Sequence, residues 1–400
     1  MSPVLENDRW LLPEGIEELL PEEARRLEQT RRAVLDLFAR WGYEQVEPPL
    51  IEYLESLLTG TGHDLDLQTF KLTDQLTGRL MGVRADMTPQ VARIDAHALK
   101  REVPTRLCYL GPVLHTRPDG FARSRSPLQV GAELYGHAGP ESDVEVIQLL
   151  VATLAAAGVD SPYLDLGHVG IFRGLMGRAG LEPEQEEALF DALQRKAVPD
   201  LRQLLAEADV EERVGSMLEA LAGLNGGPET LDEAETVLAG AGEEVAEALA
   251  RLRAVAEGLK ARLPELSLHF DLAELRGFNY HTGVVFGAFL PGRGSAIAEG
   301  GRYDDIGRVF GRSRAATGFS ADLRTLIALG PAQQEPVRGI FAPWEDDPAL
   351  VNRIAELRAQ GERVVTALPG QPGGAAEMGC DRSLARKDGT WQVVALEPQS

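Results

Sequence analysis

The sequence predicts an α+β protein with a strand-rich core, flanking helices, a helical insertion and a small C-terminal α/β domain. Three observations support this prediction. The chain has 400 residues, which favours two or three domains over one. Strand-type alternation occurs on both sides of residues 172–264, whereas that segment is acidic and has helical periodicity. The polar linker PAQQEP separates residues 1–330, the predicted core, from the predicted small domain at 337–400.

The composition excludes several classes of protein. Lys and Arg number 40 against 62 Asp and Glu, and this net charge of −22 gives no general attraction to nucleic acid or anionic lipid. Cys108 and Cys380 match no disulfide framework or zinc spacing. The longest apolar run, residues 146–159, is too short to span a bilayer, and MSPVLENDRW does not resemble a signal peptide. We therefore expect a cytoplasmic protein without a metal or cofactor.

The first predicted elements are a helix and an edge strand. From Pro21, helical spacing places Val34, Phe38 and Trp41 on one apolar stripe, with acidic residues in the first turn. The paired prolines of YEQVEPPLIE exclude a central strand position and favour an edge or an interface. FKLTDQLTGRLMGVR predicts two strands around a turn, and a helix is expected to begin at Thr88.

Periodicity and turn residues also predict the elements that follow the first helix and strands. The stretch GPVLHTRPDGFARSRSPLQVGAELYG predicts two strands joined by a basic turn, and a helix follows from about Glu141 to Ala157. Strand patterning returns in LSLHFDLAELRGFNYHTGVVFGAFL after the helical insertion. The tail predicts a strand, a helix, a second strand and a final hairpin.

Polar side chains share one face of the strand PLQVGAELYG. Alternation places Gln129, Gly131 and Glu133 opposite the apolar residues of the same strand. A glycine between a carboxamide and a carboxylate leaves room for a ligand, and both side chains can accept hydrogen bonds from an ammonium group. A solvated sheet face explains the pattern equally well.

Three further segments hold candidate binding residues. Asp86 and Thr88 lie at a strand-to-helix junction, where Thr88 is expected to act as a helix N-cap. RGFNYHTGVVF presents Arg276, Tyr280 and His281 in a strand-like setting, suited to a carboxylate and a polar heterocycle or, alternatively, to surface and packing roles. EGGRYDDIG is compatible with a phosphate-binding turn, although no GKS/T follows it.

Several segments in linear order resemble the class II histidyl-tRNA synthetase family. They are LPEGIEELLPEEA, WGYEQVEPPLIE, RADMTPQVAR, the strand pair described above, RGFNYHTGVVF and EGGRYD, and the likeness spans residues 12–329. The resemblance implies an antiparallel sheet with flanking helices. It also implies that WGYEQVEPPLIE forms a dimer interface, so we expect a symmetric dimer through residues 48–52.

The chain departs from the family where ATP would bind. His115 occupies the place of the arginine that grips ATP, and Arg117 replaces the glutamate that follows it. The third family motif ends in an arginine that contacts adenine and phosphate, and here that place holds Thr325, with Asp322 and Arg324 just before it. Both nucleotide arginines are therefore missing, and a threonine cannot replace a guanidinium.

The residues that the resemblance assigns to histidine are largely retained. Glu133, Gln129 and Asp86 are expected to receive the ammonium group, Arg276 to lie near the carboxylate, and Tyr280 or His281 to lie beside the imidazole. The full predicted histidine site is Asp86, Thr88, Arg123, Gln129, Glu133, Arg276, Tyr280 and His281.

A retained amino-acid pocket without ATP contacts resembles the synthetase paralogues that serve as regulatory subunits of ATP phosphoribosyltransferase. This resemblance implies a non-catalytic subunit with no catalytic residues of its own and no tRNA. It would join a separate short catalytic chain in the first step of histidine biosynthesis and take part in feedback by histidine. One alternative is a divergent active histidyl-tRNA synthetase in which Arg117, Arg123 or Arg324 binds phosphate. Another is an amino-acid sensor with a different effector.

Overall fold

A computed structural model describes residues 10–59, 63–118, 124–274, 277–278, 280–331 and 338–396. The chain forms two compact units, Met1–Pro331 and Ala332–Ser400, and each has its own hydrophobic core. None of the helices in these ranges is both long and apolar enough to cross a membrane.

The first unit combines helices and short strands with one large sheet. Its elements up to the second central strand are α1 (Pro21–Arg40), β1 (Glu44–Gln45), β2 (Ile51–Tyr53), α2 (Leu54–Leu57), α3 (His63–Gln68), β3 (Phe70–Thr73), β4 (Leu80–Val83), α4 (Thr88–Arg93), a π-helix (Ile94–Leu99), β5 (Thr105–Pro112) and β6 (Leu128–Tyr135). The remaining elements are α5 (Pro140–Ala156), β7 (Tyr163–His168), α6 (Val169–Ala179), α7 (Pro183–Gln194), α8 (Val198–Glu207), α9 (Glu212–Leu221), β8 (Asn225–Gly226), α10 (Glu229–Val237), α11 (Glu243–Arg262), β9 (Ser267–Asp271), β10 (Val284–Phe289), β11 (Ala298–Arg302), a 3₁₀ helix (Ile306–Phe310), β12 (Ala316–Asp322) and α12 (Leu323–Leu329).

The large sheet has the strand order β1-β5-β6-β12-β11-β10-β7-β9-β8. Its central strands, from β5 to β7, pair antiparallel with one another. Parallel pairs occur between β1 and β5 and between β7 and β9. The predicted antiparallel core with flanking helices is therefore confirmed.

One face of this sheet is covered by helices that form the main core. Val34 and Phe38 of α1 are fully buried, as the helical stripe predicts, and the Phe38 ring meets Phe319 of β12 edge-on at 6.3 Å. On β6, Val130 and Ala132 are fully buried in the same core. Alternation then places the polar residues of β6 on the opposite face of the sheet.

The paired prolines divide the predicted edge strand into two short strands in different sheets. Before Pro48 and Pro49, β1 pairs with β5 of the large sheet. After them, β2 pairs with β4 in a small sheet of order β2-β4-β3. Proline has no backbone N–H to donate, so the large sheet cannot continue through this pair. β3 and β4 are the two strands predicted around a turn.

The insertion is helical, as predicted, although its first helix, α6, begins at Val169. His168 caps α6 because its Nδ1 accepts a hydrogen bond from the Gly170 N–H at 3.1 Å. Burial lowers the pKa of His168 to about 3, so its imidazole is neutral. Within the insertion, the two-residue strand β8 pairs with β9 of the large sheet.

One possibility left open by the sequence is excluded and one local prediction is wrong, in both cases because tertiary contacts override the local pattern. EGGRYD contributes its glycines to the strand β11, not to a turn. The segment around Tyr280 is a turn that precedes β10, not a strand: the Gly277 carbonyl accepts hydrogen bonds from the Tyr280 and His281 N–H groups, both at 2.8 Å.

The second unit contains the elements predicted for the tail. They are β13 (Ile340–Ala342), α13 (Pro348–Ala359), β14 (Val364–Thr366), β15 (Arg382–Lys387) and β16 (Thr390–Ala395). The sheet order is β14-β13-β15-β16, and β15 and β16 form the final hairpin. Asp347 caps α13 through the Ala349 N–H at 2.9 Å and accepts from Trp391 Nε1 at 2.7 Å, which ties the helix to the hairpin.

Candidate functional site

A buried carboxyl group lies at the centre of the sheet face opposite the main core. Glu133 of β6 is only 1% exposed. The Tyr109 hydroxyl donates to its Oε1 at 2.9 Å, and the Tyr303 hydroxyl donates to its Oε2. A side chain at Gly318, its partner on β12, would collide with Oε2. The alternative of a solvated sheet face is therefore wrong for Glu133.

Burial changes the protonation of this carboxyl. The pKa of Glu133 is raised to about 8, chiefly by desolvation; hydrogen bonds from Tyr303 and Tyr109 lower it, and nearby Asp86 adds to the increase. Glu133 is thus mostly protonated at neutral pH in the unliganded chain. A cation beside it would favour the carboxylate, so the site is suited to a positively charged group.

Gln129 and Asp86 form a second polar pair beside Glu133. Gln129 Nε2 donates to Asp86 Oδ1 at 2.7 Å, and Gln129 Oε1 accepts from the Met87 N–H at 2.9 Å. Asp86 Oδ1 also accepts from the Thr88 N–H at 3.0 Å. These bonds fix the orientation of the Gln129 amide and join β6 to the start of α4.

Thr88 does not cap α4 with its side chain, so that prediction is wrong. The N-cap residue of α4 is Met87, without a side-chain cap bond. The Thr88 hydroxyl is instead buried 3.0 Å from the Tyr109 hydroxyl. Because the Tyr109 hydroxyl donates its hydrogen bond to Glu133, its oxygen accepts a hydrogen bond from the Thr88 hydroxyl. Thr88 therefore supports the tyrosine that holds Glu133.

Gly131 also has a different role from the one expected. Tyr109 of β5 pairs with Gly131, and its hydroxyl occupies the space that a side chain at Gly131 would need. The glycine makes room for a tyrosine of the protein, not for a ligand approaching the sheet.

Tyr280 lines the site with a polar atom that has no hydrogen-bond partner among the described residues. Its ring stacks on Tyr303 with centroids 5.0 Å apart and meets His281 edge-on at 5.4 Å. Its hydroxyl is buried and makes no hydrogen bond within the described residues. A buried hydroxyl of this kind is costly to leave unpaired, which points to a ligand that completes it.

The structure brings six of the eight predicted site residues into one connected group, and the binding of histidine by all eight stays a prediction. The connected residues are Asp86, Thr88, Gln129, Glu133, Tyr280 and His281. Arg123 and Arg276 lie outside the described residues and stay predictions. Sequence reasoning missed Tyr109 and Tyr303. Alternation along β5 would have placed Tyr109 on the ligand face, whereas Tyr303 follows the end of β11 and carried no comparable signal.

The residues that replace the nucleotide arginines have structural roles. His115 Nε2 lies 2.9 Å from the Ala85 carbonyl, to which it donates, and its buried Nδ1 makes no hydrogen bond among the described residues. The Thr325 hydroxyl donates to Asp322 Oδ2 at 2.7 Å, and Asp322 caps α12 through the Arg324 N–H at 3.1 Å. Neither His115 nor Thr325 has a guanidinium, so neither can make the bidentate phosphate contact of an arginine.

The possible phosphate-binding turn is excluded by the contacts of its arginine. Arg302 is 2% exposed, and its guanidinium donates to Asp143 at 2.9 and 3.2 Å and to the Ser142 hydroxyl at 2.8 Å. It also reaches Asp304 at 3.2 Å. Arg302 is therefore engaged in a buried ion pair that joins β11 to α5.

Comparison with known families divides the chain in the same order as the two units. Residues 15–326 match the family model for histidyl-tRNA synthetase. Residues 337–394 match the model for the ATP phosphoribosyltransferase subunit HisZ C-terminal domain.

Whole-chain relatives and solved structures agree with these matches. The ATP phosphoribosyltransferase regulatory subunit of Alkalilimnicola ehrlichii is 64% identical over 390 residues, 97% of each chain. That of Thioalkalivibrio sulfidiphilus is 64% identical over 394 residues, covering 98% of this chain and all of the relative. A crystal structure from Bacillus halodurans, described as an ATP phosphoribosyltransferase regulatory subunit/histidyl-tRNA synthetase, superposes with a TM-score of 0.82 at 28% identity, covering 94% and 97% of the two chains.

The fold extends to a more distant enzyme. Histidyl-tRNA synthetase from Nostoc superposes with a TM-score of 0.78 over 97% of both chains at 18% identity, a likeness of fold alone. The full-length matches and the C-terminal domain match together give the family: this chain belongs to the ATP phosphoribosyltransferase regulatory subunits, which share the histidyl-tRNA synthetase fold.

Proposed function

We propose that this chain is a non-catalytic regulatory subunit of ATP phosphoribosyltransferase that binds histidine. It joins a separate short catalytic chain in the cytoplasm, enables the first step of histidine biosynthesis and takes part in feedback control. The names of its full-length relatives support the partnership. The observation that carries the ligand assignment is the buried Glu133 carboxyl, which lacks a cationic partner among the described residues. Tyr303 links it to Tyr280, whose hydroxyl makes no hydrogen bond among the same residues.

The chemistry of histidine fits the two ends of this site. Its ammonium group supplies the positive charge that a buried Glu133 carboxylate needs, with Asp86 and Gln129 as further acceptors. Its imidazole offers both a donor and an acceptor nitrogen to Tyr280 or His281. The predicted partner of the ligand carboxylate is Arg276.

Synthetase activity is not part of this proposal, because His115 and Thr325 stand where the family has its two nucleotide-binding arginines. Arg324 precedes Thr325, and its Nη1 donates to the Glu17 carbonyl at 3.4 Å. The insertion argues against tRNA binding, since residues 172–264 contain 19 Asp and Glu against 10 Lys and Arg. The isolated chain is expected to show neither histidine-dependent ATP–pyrophosphate exchange nor aminoacylation.

A symmetric dimer through the small sheet is also part of the proposal. Leu50 is 45% exposed, Ile51 is 46% exposed and Leu80 is 56% exposed, so the segment after the paired prolines presents an apolar surface in the single chain. Burial of this surface against a second copy would remove it from water. Sedimentation should show a dimer at micromolar concentration, and Ile51→Asp should shift it to monomer. A monomeric wild-type chain would contradict the proposed interface.

The function is tested by reconstitution with the short catalytic chain from the same organism. Phosphoribosyl-ATP synthesis should require this chain and should be suppressed by histidine. Glu133→Gln should raise the histidine concentration needed for suppression. Glu145→Gln is the matched control, because Glu145 pairs with Arg106 at 2.6 Å on the opposite face of the sheet. Synthesis that is independent of this chain would contradict the proposed function.

A further inference from the structure

We infer that Phe190 and Arg173 of the helical insertion are positioning residues for the ligand pocket, because they hold the turn that carries Tyr280 and His281. The insertion and the pocket are thereby linked. This inference rests on the proposed binding of histidine.

The turn is compact, and its geometry depends on a glycine. Gly277 has a φ of +62°, which L side chains rarely adopt, and a side chain there would collide with the His281 ring. Its carbonyl accepts from both the Tyr280 and His281 N–H groups. The turn can therefore transmit a displacement from one of its residues to the next.

Two aromatic side chains anchor this turn on different sides. Tyr280 stacks on Tyr303, the residue that donates to Glu133. Phe278, two residues earlier, packs against Phe172 of α6 and Phe190 of α7, with ring centroids 5.3 Å apart in both pairs. The turn thus has one aromatic anchor in the pocket and one in the insertion.

Arg173 of α6 adds a polar contact to the second anchor. Its Nη2 donates to the Phe278 carbonyl at 2.7 Å, and its guanidinium lies over the Phe278 ring, 4.8 Å from the centroid. Burial lowers the pKa of Arg173, while Asp305 and Glu244 act in the opposite direction, and the group stays cationic. One side chain therefore holds both the main chain and the ring of Phe278.

These contacts have a thermodynamic consequence. A change in the position of α7 displaces the Phe190 ring, and with it Phe278 and the turn. Histidine in contact with Tyr280 or His281 must then stabilise the packing of α6 and α7 in return, because coupling between two sites is reciprocal. The packing of α6 and α7 and the occupancy of the pocket are therefore expected to be coupled.

The test is histidine titration of the full chain by calorimetry. Phe190→Ala and Arg173→Ala should weaken histidine binding about three- to tenfold, the range expected when one aromatic or cation–π contact is lost. The control is Leu204→Ala, which removes a half-buried side chain of α8 from the same core. It should lower the melting temperature to a similar extent and leave the histidine Kd at the wild-type value.

Amide hydrogen exchange gives a second readout that a purely structural role would not change. Histidine should slow exchange in α6 and α7 of the wild type and should not do so in Phe190→Leu. Leucine removes the aromatic ring but keeps an apolar side chain in the core, so this variant is expected to fold. Wild-type affinity in both Phe190→Leu and Phe190→Ala, with histidine still bound by the wild type, would overturn this inference and leave the proposed function standing. A wild type that does not bind histidine would overturn both.

Discussion

Two carboxyl groups on neighbouring strands show how a ligand site differs from a structural site. Asp322 of β12 is half-buried and accepts from the Leu128 N–H at 3.0 Å, the Arg324 N–H at 3.1 Å and the Thr325 hydroxyl at 2.7 Å. Glu133 of β6 is fully buried, has two tyrosine hydroxyls as donors and has a raised pKa.

The difference lies in what each site still needs. The donors to Asp322 are the Leu128 N–H at the start of β6 and two groups at the N-terminus of α12. They join β6, β12 and α12, so the Asp322 carboxylate has its hydrogen-bond partners without a ligand. The Glu133 carboxylate would need a positive charge, and the nearby Tyr280 hydroxyl needs a partner. Thr325, where the synthetase family has an arginine, belongs to a capping network, whereas the Glu133 carboxyl has no cationic partner among the described residues.

The largest effect is expected from neutralising the carboxyl. Glu133→Gln keeps the size of the side chain but cannot become negative, so the histidine ammonium loses its charged partner. Histidine affinity should fall about ten- to hundredfold, or roughly 1.5–3 kcal/mol, in calorimetry. Glu145→Gln, on the opposite face of the sheet, should bind as the wild type does. Equal histidine binding by the wild type and Glu133→Gln would contradict the proposed pairing of Glu133 with the histidine ammonium group.

The next largest effect is a pH dependence of histidine binding. Glu133 has a folded pKa of about 8, so it must lose a proton to become the partner of an ammonium group. Affinity should rise about tenfold between pH 6.5 and pH 8, with release of a proton from the protein on binding. Calorimetry in buffers of different ionisation enthalpy measures that proton, and Glu133→Gln should not release it.

The same pKa gives a stability prediction for the unliganded chain. Because the folded pKa of Glu133 is raised above its ordinary value of 4.5, the folded state holds a proton that the unfolded state has released. This contribution to the free energy of unfolding is fully present below pH 4.5 and is lost as the pH rises through 8. As the pH rises from 4.5 to 8, the melting temperature of Glu133→Gln should therefore increase relative to that of the wild type.

A smaller effect is expected from removing the hydroxyl of either stacked tyrosine, Tyr280 or Tyr303, and the two variants should differ in stability. Tyr280→Phe removes a hydroxyl with no partner among the described residues, so the unliganded chain should be as stable as the wild type or more stable, while histidine affinity falls about two- to tenfold. Tyr303→Phe removes a donor to Glu133 and should lower stability. Calorimetry and thermal unfolding of both variants measure this split, and a Tyr280→Phe variant that loses stability but not affinity would contradict it.

The smallest effect is expected in the capping network. Thr325→Val removes one of the donors to Asp322 and should reduce the free energy of unfolding by about 1 kcal/mol. Histidine affinity should not change. A clear loss of histidine binding in Thr325→Val, with the fold intact, would mean that the two halves of the pocket are not separate.

The sequence predicted the elements and the polar face well, because these depend on local periodicity. Alternation along β6 placed Gln129 and Glu133 on the correct side, and helical spacing identified Val34 and Phe38 as core residues. The paired prolines signalled a strand edge, although not that the chain would change sheets there.

What the sequence did not predict depends on contacts between distant segments. The Thr88 hydroxyl is a good cap by local rules, yet Tyr109 competes for it across 21 positions. Arg302 follows two glycines, as in a phosphate-binding turn, but Asp143, 159 positions earlier, engages its guanidinium. The protonation of Glu133 depends on desolvation by the whole fold, which no local pattern contains.

We propose that the part of the pocket around Glu133 and Tyr280 binds histidine and that the part around Asp322 and Thr325 does not bind ATP. Calorimetric titration of the same full-length protein with histidine and with magnesium ATP, in separate experiments at pH 8, tests this claim directly. We expect saturable binding of one histidine per chain and no binding of ATP. Saturable binding of ATP, or failure to bind histidine, would contradict it.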